Sequence, residues 1–146
     1  MSNADIFSIV GSALSAQNAR MGAIASNLAN VDSITPPGGT PYRAHEVVFT
    51  AEPDNVADGA FGDNDNDAGA GVAMSGTVLS NAPLKREYEP GSPYADSSGY
   101  ITGSNVSQVG QMVDLIDSSN NYAADIAVLQ QSSRIDQQML SSFQVT

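Results

Sequence analysis

The chain has 146 residues, enough for one domain or a small domain with extended arms. Sixteen acidic residues against five basic ones give a formal net charge of −11, which leaves no basic footprint for nucleic acid or an anionic membrane surface. Cysteine is absent, so disulfides, thiolate metal sites and a cysteine nucleophile are excluded.

The first ten residues, "MSNADIFSIV", have no basic n-region and lead into no long apolar run, so no cleavable signal peptide is expected. No stretch approaches the roughly 18–20 apolar residues of a membrane span. From about residue 5 to 30 the spacing predicts a helix, roughly 40 Å long at 1.5 Å per residue. Phe7, Val10, Leu14, Gln17, Met21, Ile24, Leu28 and Val31 alternate steps of three and four, the a/d stripe of a coiled coil with Gln17 its only polar member. The small residues between them let neighbouring helices approach from more than one side. Asn27 and Asn30 sit where this helix must stop. Pro36, Pro37 and Pro41 then bar a return to helix and stiffen the exit.

The middle reads as β-rich and loop-rich. "YRAHEVVFTAE" (residues 42–52) and "GVAMSGTVLSN" (residues 71–81) are strand candidates. "LKREYEPGSPYADSSGYITG" (residues 84–103) has a Pro-Gly turn and a short extended end. Most of the acidic excess lies between residues 51 and 100, and the loop 52–70 holds Asp63, Asp65 and Asp67 in the run "DNDND". Alternating carboxylates suit a hard cation, but EF-hand spacing counted from Asp63 puts Ala68 where Gly belongs and Met74 where Glu belongs. A solvated acidic loop is the alternative.

From about residue 105 to 143 there is no proline, and Gly110 is the only internal glycine, so a second long helix is expected. Gly103 and Ser104 provide its start signal. Its stripe is Met112, Leu115, Ser119, Tyr122, Ile126, Leu129, Ser133, Asp136, Leu140 and Phe143. Val109, Val113, Ile116, Val128, Ile135 and Met139 widen the apolar surface past one seam. Two helices alone cannot hide so broad a surface. With 41% hydrophobic and 6% aromatic residues, the core is thin for the length, so an elongated molecule, or one that completes its burial against other subunits, is expected. The expected fold is α+β: long terminal helices paired as a coiled-coil-like hairpin, with a small β-rich, loop-rich middle. The division is 1–34 for the first helix, 35–103 for an extended joint and outer segment, and 104–146 for the last helix.

Catalysis finds no support. His45 is the only histidine, no G-x-S-x-G elbow surrounds a serine, and no P-loop is present. No cofactor or metal is implied.

The run "SALSAQNARMGAIASNLANVDS" (residues 12–33) followed by "GTPYRAHEVVF" (residues 39–49) resembles the bacterial flagellar axial proteins, and among them the basal-body rod subunits. The signature is the helix end Asn27-Leu28-Ala29-Asn30 followed by Thr35 and a glycine turn, with Pro36, Pro37, Pro41, Tyr42 and Arg43 forming the joint. "YEPGSPYADSSGYI" (residues 88–101) supplies Tyr88, Pro90, Gly91, Pro93, Ala95, Asp96, Gly99 and Tyr100, a block similar to that of the short, proximal rod subtype. The resemblance covers residues 6–50 and 82–143. Gln111 and Asn120 replace a glutamate and an arginine of that pattern.

The resemblance implies a structural protein that is not an enzyme. It implies type III export without a cleaved signal, and a place in the rod that spans the periplasmic space. Its partners would be other copies, other rod subunits and the export apparatus in transit. Terminal helices would pack side by side into an inner tube through Val10, Leu14, Gln17, Met21, Ile24, Leu28, Met112, Leu115, Tyr122, Ile126, Leu129 and Leu140. Two alternatives remain open: another short flagellar rod subunit, or a soluble acidic calcium-binding interaction module.

Overall fold

The computed structural model describes residues 3–52 and 71–143. Two long helices flank five strands: α1 (Asn3–Ala29), β1 (Ile34–Thr35), β2 (His45–Glu52), β3 (Gly71–Leu79), β4 (Arg86–Tyr88), β5 (Tyr100–Gly103) and α2 (Gln108–Phe143). The architecture is α+β, as the helix and strand signals predict.

α1 is free of proline and rich in alanine, and it runs until the backbone tightens. Asn30 N–H bonds the Asn27 carbonyl at 3.1 Å and Ser33 N–H bonds that of Asn30 at 3.2 Å, so three-residue turns close the helix. The Asn30 side chain donates back to the Ser26 carbonyl at 2.8 Å. α2 begins later than expected. Ser107, not Ser104, is its cap: its hydroxyl accepts from Gly110 N–H at 3.3 Å, the N-cap to N3 geometry. Ser104 is instead buried and donates to the Val31 carbonyl at 2.7 Å, tying the approach to α2 to the end of α1.

β2 and β3 form an antiparallel hairpin paired from His45↔Leu79 to Glu52↔Gly71. Between Val48 and Phe49 the register shifts, leaving Ser75 as the extra residue of a bulge. A lone two-stranded hairpin is marginal in water. This one lies against α1, where the Ser12 hydroxyl accepts from Val72 N–H at 3.1 Å and donates to the Ile9 carbonyl at 2.8 Å. A second sheet has the order β1-β5-β4, all antiparallel. β1 escapes prediction because two residues, Ile34 and Thr35, carry no readable alternation.

α1 is the hub, touching α2, β2 and β3, whereas α2 touches only α1 among the described elements. The helices run in opposite directions: Asn27 meets Gln111 at one end, and Phe7 shares a groove with Leu129 and Ser133 at the other. The apolar core is small: Val10, Ala16 and Ile24 on α1, with Ala44 and Ile101. On α2 the shielded line passes through half-buried Leu115, Tyr122 and Leu129. Its fully buried members are Ser118 and Ser132, not the expected Ser119 and Ser133. Apolar residues lie around nearly the whole circumference of α2, so spacing alone did not fix which line faces α1. No helix among the described residues is long and apolar enough to cross a membrane.

Candidate functional site

The side chains that matter most gather where α1 ends, β2 begins and α2 begins. Asn27 is 1% exposed and uses all four hydrogen-bonding positions of its amide. Its Oδ1 accepts from His45 N–H at 2.8 Å and from the Tyr42 hydroxyl at 3.0 Å. Its Nδ2 donates to the His45 carbonyl at 3.0 Å and to Gln111 Oε1 at 2.8 Å. The first and third of these form a two-point pairing with one peptide segment, as a neighbouring strand would. One side chain thereby joins residues 18 and 84 positions away.

Tyr42 closes the arrangement. Its hydroxyl lies 2.9 Å from His45 Nδ1 and 3.2 Å from Ser26 Oγ, and its ring is 5.2 Å from the imidazole. With its single hydrogen given to Asn27, Tyr42 accepts from His45, which requires the proton on Nδ1. His45 is thus a structural partner of Tyr42 at this junction.

A second asparagine, absent from the sequence-predicted sites, holds the other side of the junction. Asn105 Oδ1 accepts from Ala44 N–H at 2.7 Å, and its Nδ2 donates to the carbonyls of Ser80 and Ala82 at 3.2 and 3.1 Å. Arg43 reaches the same two carbonyls at 2.9 and 3.4 Å. Nothing in local spacing announced Asn105 or Gln111. The partners of Asn105 are main-chain atoms 23 to 61 positions away, and Gln111 meets Asn27 from 84 positions away.

Between α1 and β2 the proline-rich stretch makes a tight turn. Gly39 N–H bonds the Pro36 carbonyl at 3.0 Å, Pro37 takes the second position, and Gly38 the third with φ of +83°. That is the type II pattern, in which only glycine or asparagine sits easily at the third position. A side chain at Gly39 would meet Thr35 Cγ2 at 2.7 Å, so the turn folds back over β1.

The outer block from Tyr88 to Tyr100 contains two further tight turns in series. Pro90-Gly91 and Pro93-Tyr94 occupy the centres of successive turns closed by Ser92 N–H to Glu89 O and Ala95 N–H to Ser92 O, each 3.1 Å. Gly99 has φ of +81°, and a side chain there would come within 2.9 Å of the Tyr88 ring. Tyr88 and Tyr100 pack edge to face at 5.2 Å, and Arg86 lies over Tyr100 at 5.0 Å. Asp96 pins the loop, accepting from Ser98 N–H at 2.8 Å and Tyr100 N–H at 3.0 Å and pairing with Arg86 at 3.0 Å.

The Tyr100 N–H, foremost, with the Ser98 N–H and Arg86 holds the Asp96 carboxyl below its ordinary value of 3.8. A lowered folded-state value stabilises the loop above pH 3.8, and that contribution fades as pH falls through the folded-state value. Acidification should therefore shift the Tyr100 amide resonance with a midpoint below 3.8. In Asp96→Asn that step should vanish from the titration followed by nuclear magnetic resonance.

The predicted packing residues divide. Val10 and Ile24 are buried, Leu14, Gln17, Met21, Leu28, Leu115, Tyr122, Ile126 and Leu129 are half-buried, and Met112 and Leu140 are 46% and 66% exposed. Gln111, one of the departures from the resemblance, is spent inside the subunit on Asn27. Asn120, the other, is exposed. The Asp63–Asp67 run lies outside the described residues. Among the described residues no cluster of three or more His, Asp or Glu is placed to hold a metal.

Comparison with known proteins agrees with this anatomy. Residues 8–36 match the family described as flagella basal body rod protein, and residues 97–142 match the C-terminal family of flagellar basal body rod FlgEFG proteins. These spans hold α1 with its asparagine end and α2 with the strand before it, and they define a structural protein of the flagellar rod rather than an enzyme. Over 125 residues, 86% of each chain, the protein is 47% identical to flagellar basal-body rod protein FlgC of Escherichia coli O6:H1 and equally to that of Salmonella typhimurium. It is 41% identical to FlgC of Yersinia enterocolitica over 88% of this chain and 89% of the relative. The chain belongs to the FlgC family of flagellar basal-body rod proteins.

Proposed function

We propose that this chain is a subunit of the proximal rod, the drive shaft of the bacterial flagellum, and that it polymerises by side-by-side packing of its terminal helices. The carrying observation is the surface of α2. It meets α1 alone among the described elements, yet Val109, Ile116 and Leu140 are 74%, 60% and 66% exposed. Apolar surface of this extent on one helix is an interaction face. α1 and α2 act as a coiled-coil-like hairpin forming the inner-tube part, residues 1–34 and 104–146, and residues 35–103 form the outer part.

In this reading the Pro36–Gly39 turn is the joint that sets the angle between the two parts. The subunit leaves through the type III export route without a cleaved signal and with its ends unfolded. It then gains helix as it packs against other copies and other rod subunits in the rod that spans the periplasmic space. No step requires a membrane-inserted segment or nucleic acid.

In a strain deleted for this gene, cells should not swim and basal bodies should lack a rod beyond their base. Expression of the chain should restore both, with the chain recovered in purified basal bodies. A deletion strain that swims normally would falsify the reading.

A further inference from the structure

The side of α2 that meets α1 is half polar. α2 touches α1 alone among the described elements, and at seven-residue spacing along its shielded line stand half-buried Gln111, buried Ser118, half-buried Asp125 and buried Ser132. Gln111 has a partner in Asn27. Ser118 is 1% exposed, and its hydroxyl has no hydrogen-bond partner among the described residues. On α1, Gln17 sits seven positions from buried Val10 and seven from buried Ile24, and its Oε1 is likewise buried without a partner among the described residues. The Asn27–Gln111 bond sets the register of the antiparallel pair. Ten positions along α1 from that bond, Gln17 comes level with residue 121, about 4.5 Å along the axis from Ser118. Two orphaned oxygens thus lie at nearly the same level in the middle of the pairing, closed to water.

A buried oxygen without a partner keeps the full cost of losing its water. Each one lowers the paired state by roughly tenfold relative to an apolar residue in the same place. Gln17 interrupts a stripe that is otherwise apolar, and α2 turns Val109, Val113 and Ile116 outward instead of into the seam. We propose that Gln17 and Ser118 hold the pairing of α1 and α2 weak in the free subunit, so that the chain enters the export channel with its helices apart. The pairing closes when packing in the rod covers the outward face of α2. This rests on the rod reading above and names the side chains that keep the chain open. Ser104, Asn105 and Gln111 tether the start of α2 to the junction, so release runs from the far end of the helix and reclosure starts at the junction.

Gln17→Leu with Ser118→Ala removes both orphaned oxygens. Asn18→Leu with Ser119→Ala makes the same two changes at the exposed neighbouring positions, and so controls for helix propensity and added apolar surface. In the isolated subunit, followed by circular dichroism, the first pair should raise the helical signal and move the helix-pair equilibrium roughly a hundredfold towards the paired state. The control pair should stay near wild type. A Gln17→Leu, Ser118→Ala subunit no more helical than the control would overturn the proposal.

The second measurement is made in the deletion strain at equal expression. Gln17→Leu with Ser118→Ala should accumulate in the cytoplasm, with the chain in basal bodies reduced severalfold, while the control pair leaves the cytoplasm as wild type does. Export of the first pair at the wild-type level would overturn the proposal. So would its normal release into the periplasm with none in basal bodies, because that pattern marks an assembly contact rather than a brake on folding. Wild-type chain missing from basal bodies would overturn the rod reading itself, and the helix gain in the isolated subunit does not depend on that result.

Discussion

Asn27→Ala is expected to destabilise the assembled subunit by about 3 kcal/mol, equivalent to roughly a hundredfold in the folding and assembly equilibrium. The size follows from what is left behind. His45 N–H, the His45 carbonyl, Gln111 Oε1 and the Tyr42 hydroxyl all lose a partner at a place where the amide itself was 1% exposed. Each buried group stripped of its bond costs about 1–3 kcal/mol, reduced where water enters the space vacated. Asn27→Asp should be as damaging at neutral pH, because a carboxylate would face the His45 carbonyl and Gln111 Oε1, both acceptors. The measurement is the amount of each variant in basal bodies purified at equal expression. Wild-type recovery of Asn27→Ala would mean that the junction carries no weight in the assembled rod.

Asn105→Ala should cost about 2 kcal/mol, less than Asn27→Ala because its surroundings are only half-buried and water replaces part of what is lost. Three bonds vanish, from Ala44 N–H and to the carbonyls of Ser80 and Ala82, although Arg43 still reaches the same two carbonyls. The double variant is the sharper test. Asn27 and Asn105 hold adjacent residues, His45 and Ala44, so once one hold is gone the strand start frays and the other is worth less. The loss in Asn27→Ala with Asn105→Ala should fall short of the sum of the single losses by about 1 kcal/mol. Strict additivity would show the two asparagines acting separately.

Legibility in the sequence followed the range of the interactions. The helices were readable because their spacing repeats over many turns, and β2 and β3 because β-branched residues cluster there. The glycine and proline turns were readable because φ at Gly38 and Gly99 restricts residue choice locally. The junction was half readable. Asn27 and Asn30 stood out as odd helix-ending residues, and only Asn30 proved to cap its own helix, at Ser26. Asn27 instead reaches across the fold; Asn105 showed no signal, and Gln111 stood out only as a departure from the resemblance, because their partners lie up to 84 positions away. On α2 two small members of the stripe were placed one position off, Ser118 and Ser132 being buried where Ser119 and Ser133 were expected. Ser118 and Ser132 are buried beside half-buried Leu115, Tyr122 and Leu129, while Val109, Val113 and Ile116 lie exposed, so apolar residues occupy both sides of the helix.

The junction's contacts also bear on how the sequence can drift. Asn27 holds His45 by its peptide N–H and carbonyl, Asn105 holds the main chain of Ala44, Ser80 and Ala82, and Ser104 holds the carbonyl of Val31. In these contacts the side chains recognise positions rather than identities, whereas the bonds of Asn27 to Tyr42 and Gln111 depend on the partner's side chain. The residues they grasp are free to vary wherever the new side chain fits. The burden of inheritance falls on the few asparagines and serines that do the grasping. A fold joined this way can change much of its surface over generations and still bring the same three segments to the same point.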